Sequence, residues 1–369
     1  MVFCIDILQD LVYIYLSEAI TRDVNEGVTV VSIKDIAEAC GVSTATVSKA
    51  LNDRDDVNPA TKERVQETAK LLGYLPNAMA RALKTKKSYN IGVLMVDKAQ
   101  SGLKHHYFSS ILDSFKVVME RNGYDLTFIS NQIGNQTYSY YEHCQYRNVD
   151  GVLAACVDFR TPEMQTLLSS DLPVVSIDYV SEDGYTVASD NAQGIRDAVS
   201  YAIQRGHKEI AYIYGDDSQV TEVRCETFRN ILAEHHCNVR NQFIRQGKYL
   251  APEVAYRLTQ ELLTDGECRP SCILYPDDIC AIAGMAAITD NHLEAGKDIS
   301  VIGYDGNPTL RMLRPNLTTI RQDTDAMGLK SAELMLKLLR KEHIAPTERV
   351  TYCKGQLLEG ETVAQLEEL

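Results

Sequence analysis

From residue 88 onward, short apolar runs alternate with stretches in which apolar residues recur every three or four positions. The apolar runs predict β-strands, and the periodic stretches predict amphipathic helices. The predicted strands are 90–96, 124–130, 149–155, 173–177, 209–214, 272–275 and 299–303. The predicted helices are 108–121, 193–205, 222–235, 251–264 and 278–292. This alternation is typical of α/β folds with parallel sheets covered by helices on both faces.

The strand-and-helix region spans about 270 residues, which is more than one sheet with one core usually accommodates. We therefore predict two α/β lobes. Ligands of parallel sheets lie beyond the carboxyl ends of the strands, and a cleft between two lobes is the default place for a small molecule.

Residues 32–52 have a different pattern, which predicts two short helices joined by a tight turn. Ser32 or Asp35 can begin the first helix, Gly41 supplies the turn, and Ser43 can cap the second helix. The apolar residues that the two helices would share are Ile36, Cys40, Val42, Val47 and Ala50. This arrangement predicts a helix-turn-helix, and an ordinary αα-hairpin within a larger helical domain is the alternative.

The outer face of the second helix carries short polar or methyl groups and one cation. These residues are Thr44, Ala45, Thr46, Ser48 and Lys49. Such side chains suit base edges and phosphates in a major groove.

A third helix is predicted from Asn58-Pro59 to Gly73, because proline is tolerated at a first helical position and glycine often ends a helix. Tyr74–Pro76 then breaks the chain, and residues 77–84 can form a very short fourth helix among cations. So short a helix is not stable alone in water. It is either a segment that folds against DNA or a plain charged linker.

Charge is distributed unevenly along the chain. The 369 residues carry a net charge of −14, whereas residues 29–88 contain ten Lys and Arg against seven Asp and Glu. A locally basic segment on an acidic body indicates nucleic-acid binding by that segment alone. No apolar run reaches the ~18 residues that a transmembrane helix needs, so we expect no membrane association.

The ten cysteines are scattered and form no C-x-x-C pair, so we expect reduced thiols in a cytoplasmic protein with no metal and no cofactor. Residues 1–28 are apolar in patches but acidic, and they lack the basic leader of a signal peptide. They are either an added helix or the product of an upstream start codon.

Several motifs occur in a specific order. The segment VSIKDIAEACGVSTATVSKALN is followed by Gly73-Tyr74-Leu75-Pro76-Asn77, then by Ser300-Val301-Ile302-Gly303-Tyr304-Asp305 and Thr318-Thr319-Ile320-Arg321-Gln322. Over residues 31 to about 360 the chain resembles the lactose-repressor (LacI/GalR) family of transcriptional regulators, whose effector-binding body has the periplasmic sugar-binding fold.

The resemblance implies a homodimer on a pseudo-palindromic operator in double-stranded DNA. It places Thr44, Ala45 and Lys49 at base edges, with Thr46 and Ser48 nearer the backbone. The implied hinge contacts are Asn77, Ala80, Arg81, Leu83 and Lys84. Leu83 matches a leucine that wedges into the minor groove and kinks the central base step.

The resemblance also implies the division of the chain. The expected parts are an extension of doubtful status over 1–28, a DNA-binding domain over 29–76, a hinge over 77–88, a two-lobed body over 89–360 that crosses between lobes near 189 and 322, and a tail over 361–369. The body would bind a small effector and thereby control the affinity for DNA. The implied activity is that of a repressor.

The effector-binding positions implied by the family motifs are Asp178, Arg224, Asp277 and Asp305. His106, Tyr107 and Phe108 follow the first strand and can form an apolar or stacking wall of the same pocket. Carboxylates with one guanidinium suit vicinal hydroxyls, because each can form two hydrogen bonds at once, so we expect a sugar. A nucleobase, a sugar phosphate or an amino sugar is an alternative, since the chain has no tryptophan as a sugar platform.

Structural roles are the alternative for several of these positions. Tyr107 and Phe108 can be core residues, and Asp305 can be a turn residue that follows a strand. We expect Asp278 to cap its helix.

Two other functional classes fit the chain less well. A sugar-transport component shares the body fold, but it needs an export signal and no DNA-binding segment. An enzyme would need catalytic motifs that we do not find, because the chain has no G-x-G-x-x-G, no P-loop and no G-x-S-x-G motif.

We also predict a single strand over 350–357, after which too few residues remain for a helical bundle. We therefore expect a dimer rather than a tetramer.

Overall fold

The computed structural model describes residues 31–75, 82, 87–96, 102–264, 268–309 and 312–366. The chain divides into two compact units, a head up to Lys86 and a body from Lys87. The expectations for residues 1–28 and for Asn77, Ala80, Arg81, Leu83 and Lys84 lie outside the described residues. Among the helices that the structure describes, none has the length and apolar character needed to span a membrane.

Over its described residues 31–75, the head contains three helices, α1 (Ile33–Cys40), α2 (Thr44–Leu51) and α3 (Pro59–Leu71). Both predicted start signals of α1 are used, because the backbone N–H of Ser32 donates to Asp35 Oδ2 at 2.7 Å. Gly41 adopts a left-handed φ of 63°, and Ser43 Oγ accepts from the backbone N–H of Thr46 at 3.1 Å. These caps turn the chain sharply between α1 and α2.

A small core holds the three helices together. Ile36, Val47, Ala50 and Val65 are fully buried, and Val42 packs against them. The buried residues of α2 lie on one side only, so its opposite side remains open.

The body is α/β. Its strands are β1 (Asn90–Met95), β2 (Asp125–Ile129), β3 (Gln132–Ile133), β4 (Gln136–Thr137), β5 (Gly151–Ala155), β6 (Val174–Ile177), β7 (Tyr185–Ser189), β8 (Ile210–Tyr214), β9 (Ile244–Gln246), β10 (Cys272–Leu274), β11 (Ser300–Asp305), β12 (Thr318–Arg321), β13 (Val350–Cys353) and β14 (Gln356–Leu358). Its helices are α4 (His106–Arg121), α5 (Tyr140–Arg147), α6 (Pro162–Leu168), α7 (Asn191–Gln204), α8 (Gln219–Glu234), α9 (Pro252–Thr264), α10 (Asp278–Asp290) and α11 (Thr324–Leu339).

The strands form two six-stranded sheets and a small hairpin of β3 with β4. The first sheet has the order β13-β7-β6-β5-β1-β2, and all its strands are parallel. The second sheet has the order β14-β12-β11-β10-β8-β9, and only β14 runs antiparallel to its neighbour. We call each sheet with its helices a lobe.

Helices cover both faces of each sheet. In the first lobe, α4 and α11 pack on one face, and α5 and α6 pack on the other. In the second lobe, α7 and α8 pack on one face, and α9 and α10 pack on the other. This layering confirms the α/β class with parallel sheets.

The chain passes between the lobes in three places: after β7, after β12 and between β13 and β14. The prediction of one strand over 350–357 was wrong, because β13 pairs with β7 whereas β14 pairs with β12. The chain crosses at Lys354 and Gly355. A side chain at position 355 would have its Cβ only 3.0 Å from the Arg321 carbonyl oxygen, which accounts for the glycine.

Candidate functional site

The first candidate surface is the open side of α2. We call Thr44, Ala45, Thr46, Ser48 and Lys49 the reading face. Thr44, Ala45 and Lys49 are exposed, whereas Thr46 and Ser48 are half-buried. The alternation follows from Val47 and Ala50, which anchor the opposite side of the helix in the head core. Exposure of these side chains on one helix face suits a major groove.

Some reading-face groups already have partners within the head. The Thr46 hydroxyl lies 2.9 Å from Ser43 Oγ, as part of the cap. Lys49 Nζ lies 2.5 Å from Asp56 Oδ2, in the loop that follows α2. The exposed groups best placed for an external ligand are therefore those of Thr44 and Ala45.

The second candidate site lies in the body, where both lobes contribute polar groups. We call these groups the polar cluster: Tyr107, Asp178, Asn191, Arg224, Asp277, Tyr304, Asp305 and Gln322. Asp178 follows β6 with a left-handed φ of 57°, and it accepts hydrogen bonds from Tyr107 Oη at 2.6 Å and from the Ser189 backbone N–H at 2.8 Å. Burial raises the pKa of Asp178 and, with the nearby Asp178 charge, raises that of Tyr107. Tyr107 is thus both a core residue and a hydrogen-bond donor within this cluster.

Arg224 is the cation of the cluster. It projects from α8 and is only 3% exposed. Its Nε donates to Asn191 Oδ1 at 2.7 Å, and its Nη1 donates to the Pro276 carbonyl at 3.1 Å. The guanidinium lies 3.6 Å from the ring centroid of Tyr304, which is a cation–π geometry. Neutral acceptors and an aromatic face therefore hold this charge.

The adjacent aspartates at the start of α10 have different roles. Asp277 is the helix cap, with an extended backbone and with hydrogen bonds from the backbone N–H groups of Cys280 and Leu250, each at 2.8 Å. The expectation that Asp278 caps the helix was wrong, because Asp278 is already the first helical residue.

Asp278 instead ties the end of β11 to β12. It accepts from the Asn307 backbone N–H at 2.6 Å and from Thr319 Oγ1 at 2.5 Å. Burial raises its pKa to about 7, against the lowering effect of these hydrogen bonds. Its role is the internal support of the site.

Asp305 ends β11 with a φ of 100°, and it accepts from Gln322 Nε2 at 2.6 Å. Burial raises its pKa well above the usual value, and the charges of Asp277 and Asp278 add to this effect. Asp305, Gln322, His106 and Tyr107 line one cavity of about 450 Å³. Gln322 Oε1 is buried without a hydrogen-bond partner in the described part of the chain.

The structure brings together most of the predicted effector residues. His106, Tyr107 and Asp305 line the cavity, and Asp178 is joined to it through Tyr107. Phe108 differs, because its ring packs edge-on against Tyr107 at 4.9 Å and joins the core of the first lobe. The roles of these residues toward a ligand stay predictions.

Sequence reasoning missed several members of the cluster. Asn191 and Tyr304 hold Arg224, and Gln322 holds Asp305. Gln322 had a usable signal, since it follows the end of β12 in the same way that Asp305 ends β11. No signal in the sequence marked Asn191 as a site residue, because asparagine is common in the first turn of a helix.

The lobes also touch at a second place. Gln219, the first residue of α8, donates to the Val180 carbonyl at 3.0 Å and accepts from the Val180 backbone N–H at 2.7 Å. Arg160 Nη2 donates to the Asp217 carbonyl at 3.3 Å. The arrangement of the two lobes is therefore held by specific hydrogen bonds as well as by the crossing segments.

Comparison with known families and structures agrees with this architecture. Residues 32–77 match the model for bacterial regulatory proteins of the lacI family, and residues 199–363 match a periplasmic binding protein-like domain. The HTH-type transcriptional repressor PurR of Histophilus somni (strain 2336) is 30% identical over 321 residues, covering 85% of this chain and 94% of that protein. The HTH-type transcriptional regulator RegA of Clostridium saccharobutylicum is 29% identical over 326 residues, covering 85% of this chain and 94% of that protein.

Solved structures give the same result. The Lac repressor dimer bound to operator and the anti-inducer ONPF aligns with a TM-score of 0.76 and 25% identity, over 91% of this chain and all of that one. The transcriptional regulator CelR in complex with cellobiose shares the fold, with a TM-score of 0.67 and 23% identity, over 90% of this chain and 99% of that one.

These relatives are transcriptional regulators and not enzymes, which agrees with the prediction that the chain is not an enzyme. The predicted resemblance and the predicted body fold are both confirmed. The chain belongs to the LacI family and is a DNA-binding transcriptional repressor with an effector-binding domain.

Proposed function

We propose that this repressor binds a pseudo-palindromic operator as a homodimer in the cytoplasm, through the reading face and the hinge segment over residues 77–88. We further propose that a small neutral polyol, most simply a sugar, occupies the body cavity and controls operator affinity. The observation that carries this proposal is the polar cluster around the cavity, in which both lobes supply groups able to bind one ligand.

The chemistry of the cluster favours a ligand rich in hydrogen-bond donors. Asp277 and Arg224 are buried, whereas Asp178 and Asp305 are half-buried. The cavity itself is lined by the carboxylates of Asp305, Asp323 and Asp325 and by the cations Arg321 and Lys354. Gln322 Oε1 has no hydrogen-bond partner among the described residues, so it can accept a hydrogen bond from a ligand. Hydroxyl groups satisfy carboxylate and amide oxygens, whereas a phosphate would add negative charge to a cavity in which the lining carboxylates outnumber the lining cations by three to two.

The size of the cavity supports the same proposal. Its volume of about 450 Å³ lies within the range of ordinary small-molecule sites. A nucleobase also presents ring N–H donors, and the Tyr107 side chain at the cavity offers an aromatic surface. Nucleobases are therefore the second class to test.

Control of DNA binding follows from linkage. A ligand that contacts both lobes favours one arrangement of the lobes, and operator affinity changes if DNA favours the same arrangement or a different one. The coupling free energy is reciprocal, so the operator changes effector affinity by the same factor.

A thermal-shift screen tests the ligand class. The arms are neutral sugars, sugar phosphates and nucleobases, with the protein in its full-length form. A ligand at 100 times its dissociation constant should stabilise the protein by ~2.7 kcal/mol. We expect stabilisation by a neutral sugar. Stabilisation by sugar phosphates or nucleobases alone would contradict the polyol proposal, and no stabilisation in any arm would contradict a small-molecule site of these classes.

A further inference from the structure

The loop that follows the reading face is unusually acidic. It contains Asp53, Asp55 and Asp56 within four residues. Lys49 Nζ lies 2.5 Å from Asp56 Oδ2, and both side chains are more than half exposed, at 53% and 57%. The hydrogen bond from Lys49 lowers the pKa of Asp56, so the carboxylate is charged at neutral pH. The one cation of the reading face is thus engaged by an anion of the same domain.

The backbone builds this contact. The loop folds back over the last turn of α2, because the backbone N–H of Asp53 donates to the Ala50 carbonyl at 3.2 Å and that of Arg54 donates to the Lys49 carbonyl at 3.1 Å. Val57, the residue after Asp56, is buried in the head core. Asp56 is therefore fixed on both sides, and only the lysine side chain has to be ordered to form the pair.

An exposed ion pair of this kind contributes little to folding stability, because solvent screens it. Its consequence for DNA binding is larger. Affinity for non-specific DNA comes almost entirely from cations that neutralise phosphates and release counterions. A lysine that is paired with a carboxylate contributes less to that term, because a phosphate has to displace the carboxylate, and the carboxylate itself repels phosphates.

We propose that Asp56 is a specificity-determining residue, which withholds Lys49 from the phosphate backbone and yields it only to a base acceptor that faces α2. The inference rests on the proposed reading face. On a cognate duplex, a guanine O6 or N7 in the major groove replaces the Asp56 carboxylate as the partner of Lys49. On other duplexes no base acceptor faces Lys49, so the pair with Asp56 competes with the phosphates and Lys49 contributes less to binding.

The same loop supplies a matched control. Asp55 has the same charge and lies next to Asp56, but no ion pair of Asp55 occurs within the described residues. Asp53 is less suitable, because it pairs with Lys62 of α3 at 2.8 Å. Asp55→Asn therefore removes one negative charge from the loop without releasing a cation from the reading face.

The experiment compares full-length wild type, Asp56→Asn and Asp55→Asn. Each protein is titrated against a random-sequence duplex and against a duplex that wild type has selected from a randomised pool, at several salt concentrations. Asp56→Asn should bind the random duplex about three- to fivefold more tightly than Asp55→Asn does, with a plot of log K against log salt steeper by about one. Its preference for the selected duplex should fall by a similar factor. Circular dichroism checks that both exposed substitutions leave the fold intact.

Two results would overturn the inference while leaving the proposed function in place. One is equal behaviour of Asp56→Asn and Asp55→Asn on the random duplex, which would show a general charge effect alone. The other is an equal gain on both duplexes, which would leave the preference unchanged. If wild type itself selects no sequence, the proposed operator binding and the inference both fail.

Discussion

Asp178 and Asp305 each lie at the end of a strand, and each accepts a hydrogen bond from another side chain of the body, Tyr107 for Asp178 and Gln322 for Asp305. Both were predicted from their match to the family motifs, and both lie in the polar cluster. Their left-handed or positive φ values show that each also terminates its strand, so the structural and the binding interpretations are compatible. What the sequence could not give is the partner of each carboxylate, because Tyr107 and Gln322 come from segments distant in the chain.

His207 gives a prediction about pH. Its Nδ1 lies 2.9 Å from Ser271 Oγ, and its Nε2 lies 3.0 Å from Ser300 Oγ and 3.2 Å from the Ala364 carbonyl. Burial lowers the pKa of His207 below its ordinary 6.5. As pH falls through 6.5, the unfolded chain takes up a proton that the folded protein does not bind, so the contribution of His207 to stability is lost on acidification.

The measurement is the free energy of unfolding by urea at pH 7.5 and at pH 5.5, for wild type and for His207→Gln. We expect wild type to lose more stability on acidification than the variant does. An unchanged pH dependence in His207→Gln would contradict the account.

At the scale of elements, apolar strands were predictable and partner choice was not. The interior strands β1, β5, β8 and β10 are mostly apolar runs, which the sequence displays directly, whereas the interior strands β7 and β12 contain Thr, Ser or Arg and were not predicted. Helices α5, α6 and α11 were not predicted. Helices α5 and α6 are short, and α5 is mostly polar, although the Ser139 cap with Glu142 and the Thr161-Pro162 start were visible signals. Helix α11 has 16 residues, so its length does not account for the omission. The division of 350–357 into β13 and β14 depends on which sheet each half joins, and that is a tertiary property.

The contact between α4 and α11 gives a prediction at this scale. Gly328 of α11 faces the α4 backbone, and a Cβ at this position would overlap the Ile111 carbonyl oxygen and lie 2.6 Å from Ser114 Cβ. Replacing glycine by alanine within a helix stabilises the helix by about 1 kcal/mol. The overlap involves backbone atoms, which cannot move aside. Overpacking should therefore destabilise the folded protein by about 1–3 kcal/mol, which exceeds the gain in helix propensity.

Gly328→Ala should therefore unfold at a lower urea concentration than wild type. Leu329→Ala is the control in the same helix, because Leu329 is 45% exposed and its substitution should change stability by less than about 0.5 kcal/mol. A stabilised Gly328→Ala variant would show that the two helices separate easily.

At the scale of the whole molecule, the chain combines a domain for DNA and a domain for a small ligand. The sequence predicted both, because the helix-turn-helix pattern, the basic segment and the strand–helix alternation are local signals that occur in the expected order. It could not predict the third crossing between the lobes, nor the hydrogen bonds of Gln219 and Arg160 that join them. These features arise from packing between distant segments.

The central claim is that ligand binding in the body and operator binding by the head are coupled. The most direct test is to measure the operator dissociation constant with and without a saturating ligand from the thermal screen, and the ligand dissociation constant with and without operator. Coupling of 1–3 kcal/mol predicts that each constant changes by the same factor, about 5- to 150-fold. An operator affinity that stays unchanged when the ligand saturates the body would contradict the account.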